Sequence, residues 1–166
     1  MKIVILSDAH DHLDNLKKAL DKVNALGADA LLFCGDFCAP PVAAAIGAWG
    51  KETHIVLGNN DGDRLNIARR VLGLSHVTLH GEYADIMLDG KRVGMTHYPF
   101  YADKMAKSGD FDLVCFGHDH NARIETYGTC LAVNPGSLND MMTGGEKASL
   151  ALYDTQTHTA TLYPLD

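Results

Sequence analysis

Short apolar runs rich in β-branched residues alternate with helix-patterned segments through the first half of the chain, and few folds accommodate that alternation. Ile3-Val4-Ile5-Leu6 predicts a buried strand ending in the polar turn Ser7-Asp8-Ala9-His10. Leu13, Leu16, Leu20, Val23 and Leu26 then recur at helical spacing, and Gly27 closes the segment. A second strand over Ala30–Cys34 runs into Gly35-Asp36, and a helix through Val42–Trp49 leads to a third strand, His54–Leu57. That strand ends in Gly58-Asn59-Asn60-Asp61, and a helix over 64–72 completes three βα units. Repeated βα units predict an α/β fold with a largely parallel core sheet.

The second half is richer in strands. Tyr83–Leu88 and Arg92–Thr96 flank Asp89-Gly90, which predicts a hairpin with a type I′ turn. A short helix over 101–108 precedes a buried strand at Leu113–Phe116. Ile124–Tyr127, Leu131–Val133, Ser149–Tyr153 and Thr159–Tyr163 read as further strands. Periodicity alone leaves open whether these join one mixed sheet or form two. With no repeat, low-complexity tract or linker-like stretch, the 166 residues are expected to form one domain, 1–166.

Hydrophobic residues make up 46% and charged residues 21%, which excludes a disordered chain. The formal charge of −7 gives no general attraction for a nucleic-acid backbone or an anionic bilayer, so neither an extended nucleic-acid surface nor a membrane partner is expected. A chain this acidic that handles phosphates needs bound cations. The four cysteines are too scattered for a disulfide framework, and three sit in or beside apolar runs as small hydrophobes would. Cys34-x-x-x-Cys38 has no second pair to complete a zinc site. MKIVILSD is too short an apolar run for a signal peptide, and no stretch approaches the ~18 apolar residues of a membrane span. The chain reads as soluble and cytoplasmic.

Its polar residues gather where strands end. Five strand-like runs finish in Asp8-x-His10, Gly35-Asp36, Gly58-Asn59-Asn60-Asp61, Thr96-His97 and Gly117-His118-Asp119-His120. Ligands of α/β sheets bind outside the carboxyl ends of strands, so these turns are expected to converge on one rim. Together they offer four imidazoles, carboxylates and an amide, a donor set suited to manganese, iron, cobalt, nickel or zinc. Seven such ligands exceed what one tetrahedral ion takes, whereas a shared carboxylate lets them serve two ions about 3.5–4 Å apart. In extended chain residues i and i+2 point the same way, so Asp8 with His10 can reach one cluster, and the glycines at 35, 58 and 117 permit tight turns.

In these residues the chain resembles the calcineurin-like metallophosphoesterases, whose pattern is D-x-H, G-D, G-N-H-D/E, a lone His and G-H-x-H. Asp8-x-His10, Gly35-Asp36, Gly58-Asn59-x-Asp61, His97 and Gly117-His118-x-His120 follow it in order. The length, the opening SDxHDHL and Asn134-Pro135-Gly136-Ser137 are similar to the small bacterial and archaeal phosphodiesterases of that family. The resemblance spans residues 3–137 and implies a four-layer αββα sandwich. It puts Asp8, His10 and His120 on one metal, Asn59, His97 and His118 on the second, and Asp36 between them. Two divalent transition-metal ions are implied, manganese foremost, with nickel, iron, cobalt or zinc as alternatives. The implied reaction is phosphodiester hydrolysis, by in-line attack of a hydroxide bridging the two ions. A small phosphodiester is the expected substrate and self-association as a homodimer or larger homo-oligomer the expected assembly.

Two departures stand out. Where the family often has a His, this chain has Asn60, which can donate a hydrogen bond to phosphate but cannot act as a general acid. Good, aryl-like leaving groups should therefore be favoured. Tyr98-Pro99 follows His97, where glycine is commoner, and should reshape the cleft.

Blander roles compete at several positions. Asp8 and Asp36 are also suited to capping helices. His12 is a candidate to line the substrate site, while Asp11 and Asp14 fit the first turn of a helix. Asp119 and Asn121 are candidates to orient the neighbouring imidazoles, and residues 138–146 read as a lid or a connection. His54, His76, His80 and His158 match no motif. A non-catalytic scaffold of the same fold, like the retromer small subunit, is the main alternative, although such proteins have lost metal-binding histidines that this chain retains. A phosphomonoesterase is the other. Neither G-x-G-x-x-G after the first strand nor a P-loop is present.

Overall fold

The computed structural model describes residues 1–166. The first half runs β1 (Lys2–Leu6), α1 (Leu13–Ala25), β2 (Ala30–Phe33), α2 (Pro40–Gly47), β3 (Glu52–Ile55), α3 (Arg64–Val71) and β4 (Val77–Leu79). The second half runs β5 (Tyr83–Leu88), β6 (Lys91–Thr96), α4 (Pro99–Ser108), β7 (Leu113–Cys115), β8 (Arg123–Tyr127), β9 (Cys130–Asn134), β10 (Ser149–Asp154) and β11 (Thr159–Pro164). A single 3-10 turn, Asp140–Met142, lies between β9 and β10.

Two sheets form. The first has the order β11-β10-β1-β2-β3-β4, parallel from β1 to β4 with an antiparallel β10–β11 edge. The second has the order β5-β6-β7-β9-β8, with a parallel centre and antiparallel edges. The two pack face to face through Ile3, Ile5, Leu32, Met95, Leu113, Cys115, Val133 and Tyr153. The opposite face of the first sheet, Val4, Leu6, Leu31 and Phe33, is covered by Leu16, Val23, Ile46 and Ile67 of α1–α3. Val114 and Ala132 of the second sheet are covered by Ala102 and Ala106 of α4. Four layers result, α1–α3, sheet, sheet and α4, which is the αββα sandwich. Alternate residues of β1 and β2 enter different cores, so both faces are buried and the strands read as continuous apolar runs.

Most expected elements are present with shifted ends. α2 and α4 begin at Pro40 and Pro99, earlier than their apolar spacing predicts, because proline is favoured in the first helical turn. β4 was not expected: three half-exposed residues at a sheet edge are too few to display a period. Cys34, Cys115 and Cys130 are buried, as small hydrophobes would be. His54 and His80 stack on each other with ring centroids 5.1 Å apart, while His76 and His158 make hydrogen bonds to backbone carbonyls of Gly47 and Thr129. No helix is long and apolar enough to cross a membrane.

Candidate metal centre

The turns after β1, β2, β3, β6 and β7 meet at one rim, at the carboxyl ends of parallel strands from both sheets. Backbone hydrogen bonds join them: Asp8 N–H to the Gly35 carbonyl at 3.0 Å, His10 N–H to that of Asp36 at 3.0 Å, and Gly117 N–H to that of His97 at 3.1 Å. Of nine non-glycine residues with left-handed φ, seven lie in these turns: Asp8, His10, Asp11, Asp36, Cys38, His118 and His120, with φ between 41° and 76°. Each such residue costs about 1–2 kcal/mol and persists only where its surroundings over-determine it. Gly58 and Gly117 are required for space, since a Cβ at either would collide with the carboxylate of Asp36 or Asp8.

Asp8, His10 and His120 form one converging group. Asp8 Oδ1 lies 3.2 Å from His120 Nε2 and 3.6 Å from His10 Nε2, and the two Nε2 atoms are 3.1 Å apart. Asp36, His97, His118 and Asn59 form the other. Asp36 Oδ2 is 3.2 Å from His97 Nε2, which is 3.2 Å from His118 Nδ1. Asn59 Oδ1 is 3.1 Å from His97 Nε2 and 2.9 Å from His118 Nδ1. Asp36 Oδ2 also lies 3.8 Å from His10 Nε2, so one carboxylate faces both groups. All seven residues singled out from the sequence are thus in one place.

The far sides of the imidazoles decide what this place accepts. His97 Nδ1 faces the Cys34 carbonyl at 2.8 Å and His120 Nδ1 faces the Met142 carbonyl at 3.1 Å. A carbonyl only accepts, so these Nδ1 atoms carry protons, and once the rings are deprotonated it is their Nε2 lone pairs that face inward. Asp8 Oδ2 is satisfied by the His118 N–H at 3.0 Å, whereas Oδ1 is the one buried side-chain polar atom with no hydrogen-bond partner. Lone pairs facing one another around an unpartnered carboxylate oxygen call for a cation. The residues present therefore fit a pair of metal ions.

Electrostatics agree. Burial pushes the Asp8 carboxyl up, but His10, His120 and His97 outweigh it and hold the group well below the usual carboxylate range. Burial likewise raises Asp36 while His97 and the Asn60 amide bring it lower, with a net fall. His97 is lowered by burial and raised further by Asp36 and Asp8. His120 is raised chiefly by Asp8. Cys38 Sγ sits 3.6 Å from His10 Nδ1, and burial with the carboxylates of Asp11 and Asp36 pushes its thiol up to about 12, so it stays neutral.

Several blander roles are corrected. Neither Asp8 nor Asp36 caps a helix: His12 Nδ1 caps α1 by accepting the Asn15 N–H at 3.2 Å, and α2 starts at Ala39-Pro40 with no side-chain cap. With Nδ1 so committed, His12 offers a substrate only Nε2, which lies 3.9 Å from Asp140. Asp119 does not orient an imidazole; it pairs with Arg123 at 2.8 Å and accepts the Asn134 side-chain amide at 2.8 Å. Asn121 donates its N–H to Asp119 at 3.1 Å instead of to a histidine. Asn60 gives both its N–H and its side-chain amide to Asp36, at 2.8 and 2.7 Å. The 138–146 segment touches the site through Met142, whose carbonyl fixes His120.

Sequence reasoning assigned no role to Asp61 or Ser137. Asp61 accepts three backbone N–H groups from the turns after β2 and β3. Ser137 donates to the Asp8 carbonyl at 2.8 Å, bracing the turn after β1. Asp61 stood inside a recognised motif, which was the available signal; Ser137 lay in a segment marked only by resemblance.

A four-layer αββα sandwich with a dinuclear-type donor set at its strand ends defines the metallophosphoesterase class. The family model of the calcineurin-like phosphoesterase superfamily domain matches residues 1–158, and the chain belongs to that superfamily. Phosphodiesterase MJ0936 of Methanocaldococcus jannaschii is 30% identical over 146 residues, spanning 87% of this chain and 88% of that protein. Phosphodiesterase YfcE of Escherichia coli K12 is 24% identical, spanning 93% of this chain and 88% of that protein. Among solved structures, a novel archaeal phosphodiesterase superposes with a TM-score of 0.91 at 27% identity, over 99% of this chain and 100% of that one. Vacuolar protein sorting 29 of Cryptosporidium parvum shares the fold, with a TM-score of 0.67 at 18% identity, over 98% and 95% of the two chains.

Proposed function

We propose that this protein is a dinuclear metal-dependent phosphodiesterase acting on small phosphate diesters by in-line displacement at phosphorus. The observation that carries the reading is the pair of converging donor groups with Asp36 facing both and Asp8 Oδ1 unpartnered. Asp8, His10 and His120 would hold one ion and Asn59, His97 and His118 the other, with Asp36 placed to serve both. Bound divalent ions supply positive charge for the phosphoryl oxygens and lower the pKa of a coordinated water towards neutrality. The cations also answer how a chain of formal charge −7 receives an anionic substrate. Relatives named phosphodiesterases support the same reaction.

The protein's own residues set the remaining chemistry. The Cys34 and Met142 carbonyls fix the tautomers of His97 and His120, so neither of these two imidazoles must reorient to ligate. Asn60 lies at the rim and gives one side-chain N–H to Asp36, which leaves the other as the donor for a phosphoryl oxygen. That amide has no acidic proton to hand to the departing oxygen, so leaving groups that are stable as anions are favoured.

Chelator-stripped protein should hydrolyse bis-p-nitrophenyl phosphate only after Mn, Ni, Co, Zn or Mg is restored singly, and Asp36→Ala should abolish the restored turnover. Metal binding by calorimetry without turnover under any ion would point instead to a scaffold. Across a series of aryl diesters the rate should depend steeply on leaving-group pKa; a flat dependence would overturn the role given to Asn60.

A further inference from the structure

His10, His97 and His120 all turn Nε2 towards the donor groups, and an imidazole that ligates through Nε2 carries its proton on Nδ1. Behind His97 and His120 that proton meets a backbone carbonyl. Behind His10 it meets the thiol of Cys38, whose Sγ lies 3.6 Å from Nδ1, on the side of the ring away from Asp8 and His120. From this arrangement we infer that Cys38 is a positioning residue: it accepts the Nδ1–H of His10 and so presents that ring's Nε2 lone pair to the ion shared with Asp8 and His120. The inference rests on the metal-dependent part of the reading above. Placed behind the ring, the sulfur acts on the ion through His10 and is not itself a ligand.

Neither backbone nor packing asks for a cysteine here. The φ of Cys38 is 73°, in the left-handed region that favours glycine. It is also the one cysteine of four that is not buried, so its side chain fills no core. Yet the residue is pinned, because the buried Asp61 accepts its N–H at 2.7 Å and thereby holds the sulfur against His10. An independent sign that a cation belongs on the far side of the ring is Asp8 Oδ1, which is buried, has no hydrogen-bond partner and lies 3.6 Å from His10 Nε2. A thiol differs from a carbonyl in that it donates as well as accepts. His10 therefore keeps a partner at Nδ1 whichever ring nitrogen carries the proton, whereas His97 and His120 do not. Of the three, His10 is the adaptable ligand.

Calorimetric titration of chelator-stripped protein with Mn should show Cys38→Ala weakening one ion by about tenfold, the lower end of what loss of a ligand's hydrogen-bond partner costs. In a His118→Ala background, which leaves Asp8, His10 and His120 intact, that loss should persist; in a His120→Ala background it should vanish. Cys38→Ser, whose hydroxyl also donates and accepts, should recover part of the affinity. Cys38→Gly separates positioning from structure. It relieves the left-handed backbone, so the Tm of the stripped protein should not fall, while the ion is weakened as in Cys38→Ala. Unchanged affinity in Cys38→Ala, a loss that survives in the His120→Ala background, or a Tm that falls with affinity in Cys38→Gly would overturn the inference and leave the phosphodiesterase reading intact. Wild-type protein that binds no ion would overturn both. The expected losses without hydrolysis of any diester would leave the role of Cys38 standing and overturn the phosphodiesterase reading.

Discussion

Asp61 accepts backbone N–H groups from Gly58 at 2.7 Å, Asp36 at 3.0 Å and Cys38 at 2.7 Å, while its own side chain is almost wholly buried. It thereby ties the turn carrying Asn59 to the turn carrying Asp36 without facing the donor groups itself. Asp61→Ala would leave three N–H groups without partners in a space too closed for water to serve them freely. We expect a loss of about 2–4 kcal/mol in urea unfolding, together with weaker metal-restored turnover because Asp36 loses its support. Asp61→Asn keeps one accepting oxygen and should lose less of both; equal effects from the two substitutions would count against this account. At this scale the donors were legible and their support was not. Asp8, His10, Asp36, His97, His118 and His120 announce themselves by chemistry and spacing, whereas the carbonyls of Cys34 and Met142 that fix two of the imidazoles belong to residues with no polar signature of their own.

The β5–β6 hairpin separates stability from function along a single element. Asp89 and Gly90 both have left-handed φ, 48° and 76°, as a type I′ turn requires. The turn sits at the start of β6, and His97 follows the end of that six-residue strand, about 20 Å of extended chain away. Gly90→Ala would force a Cβ into the left-handed region at a cost of about 1–2 kcal/mol, so the unfolding midpoint should fall. Turnover after metal restoration should not change. Lost activity at unchanged stability would mean that the turn communicates with the site in a way the fold does not explain. This hairpin was legible because its signal is local, two alternating runs around Asp-Gly. β4 was not, for Val77–Leu79 is held at the sheet edge by pairing with Thr53–Ile55, a contact its own three residues do not encode. The division into two sheets is of the same kind: β10 and β11 join β1 across most of the chain, and no periodicity specifies a partner.

Across the whole molecule, the metal dependence proposed above would make the rim of imidazoles and carboxylates couple folding to cation binding. Without ions, the raised pKa values of His97 and His120 mean that their protonated rings pair with Asp36 and Asp8. That stabilisation is fully present below the unfolded imidazole value of about 6.5 and fades as pH rises through the higher folded values. The depressed carboxylates of Asp8 and Asp36 contribute above the unfolded carboxylate value of about 3.9 and lose their contribution as pH falls through the lower folded values. The stripped protein is therefore best served between about pH 5 and 6.5, and less so above it. Ions require the deprotonated rings, so their stabilisation follows the opposite course. At a free ion concentration a hundredfold above Kd it reaches about 2.7 kcal/mol, or about 5–10 °C in Tm for a domain of this size. The Tm difference between Mn-loaded and chelator-stripped protein should consequently widen from about pH 5.5 to about pH 7.5. Calorimetric scans of both forms at these pH values would measure it, and a difference that stays constant, or narrows, would show that protons and ions do not compete for these imidazoles.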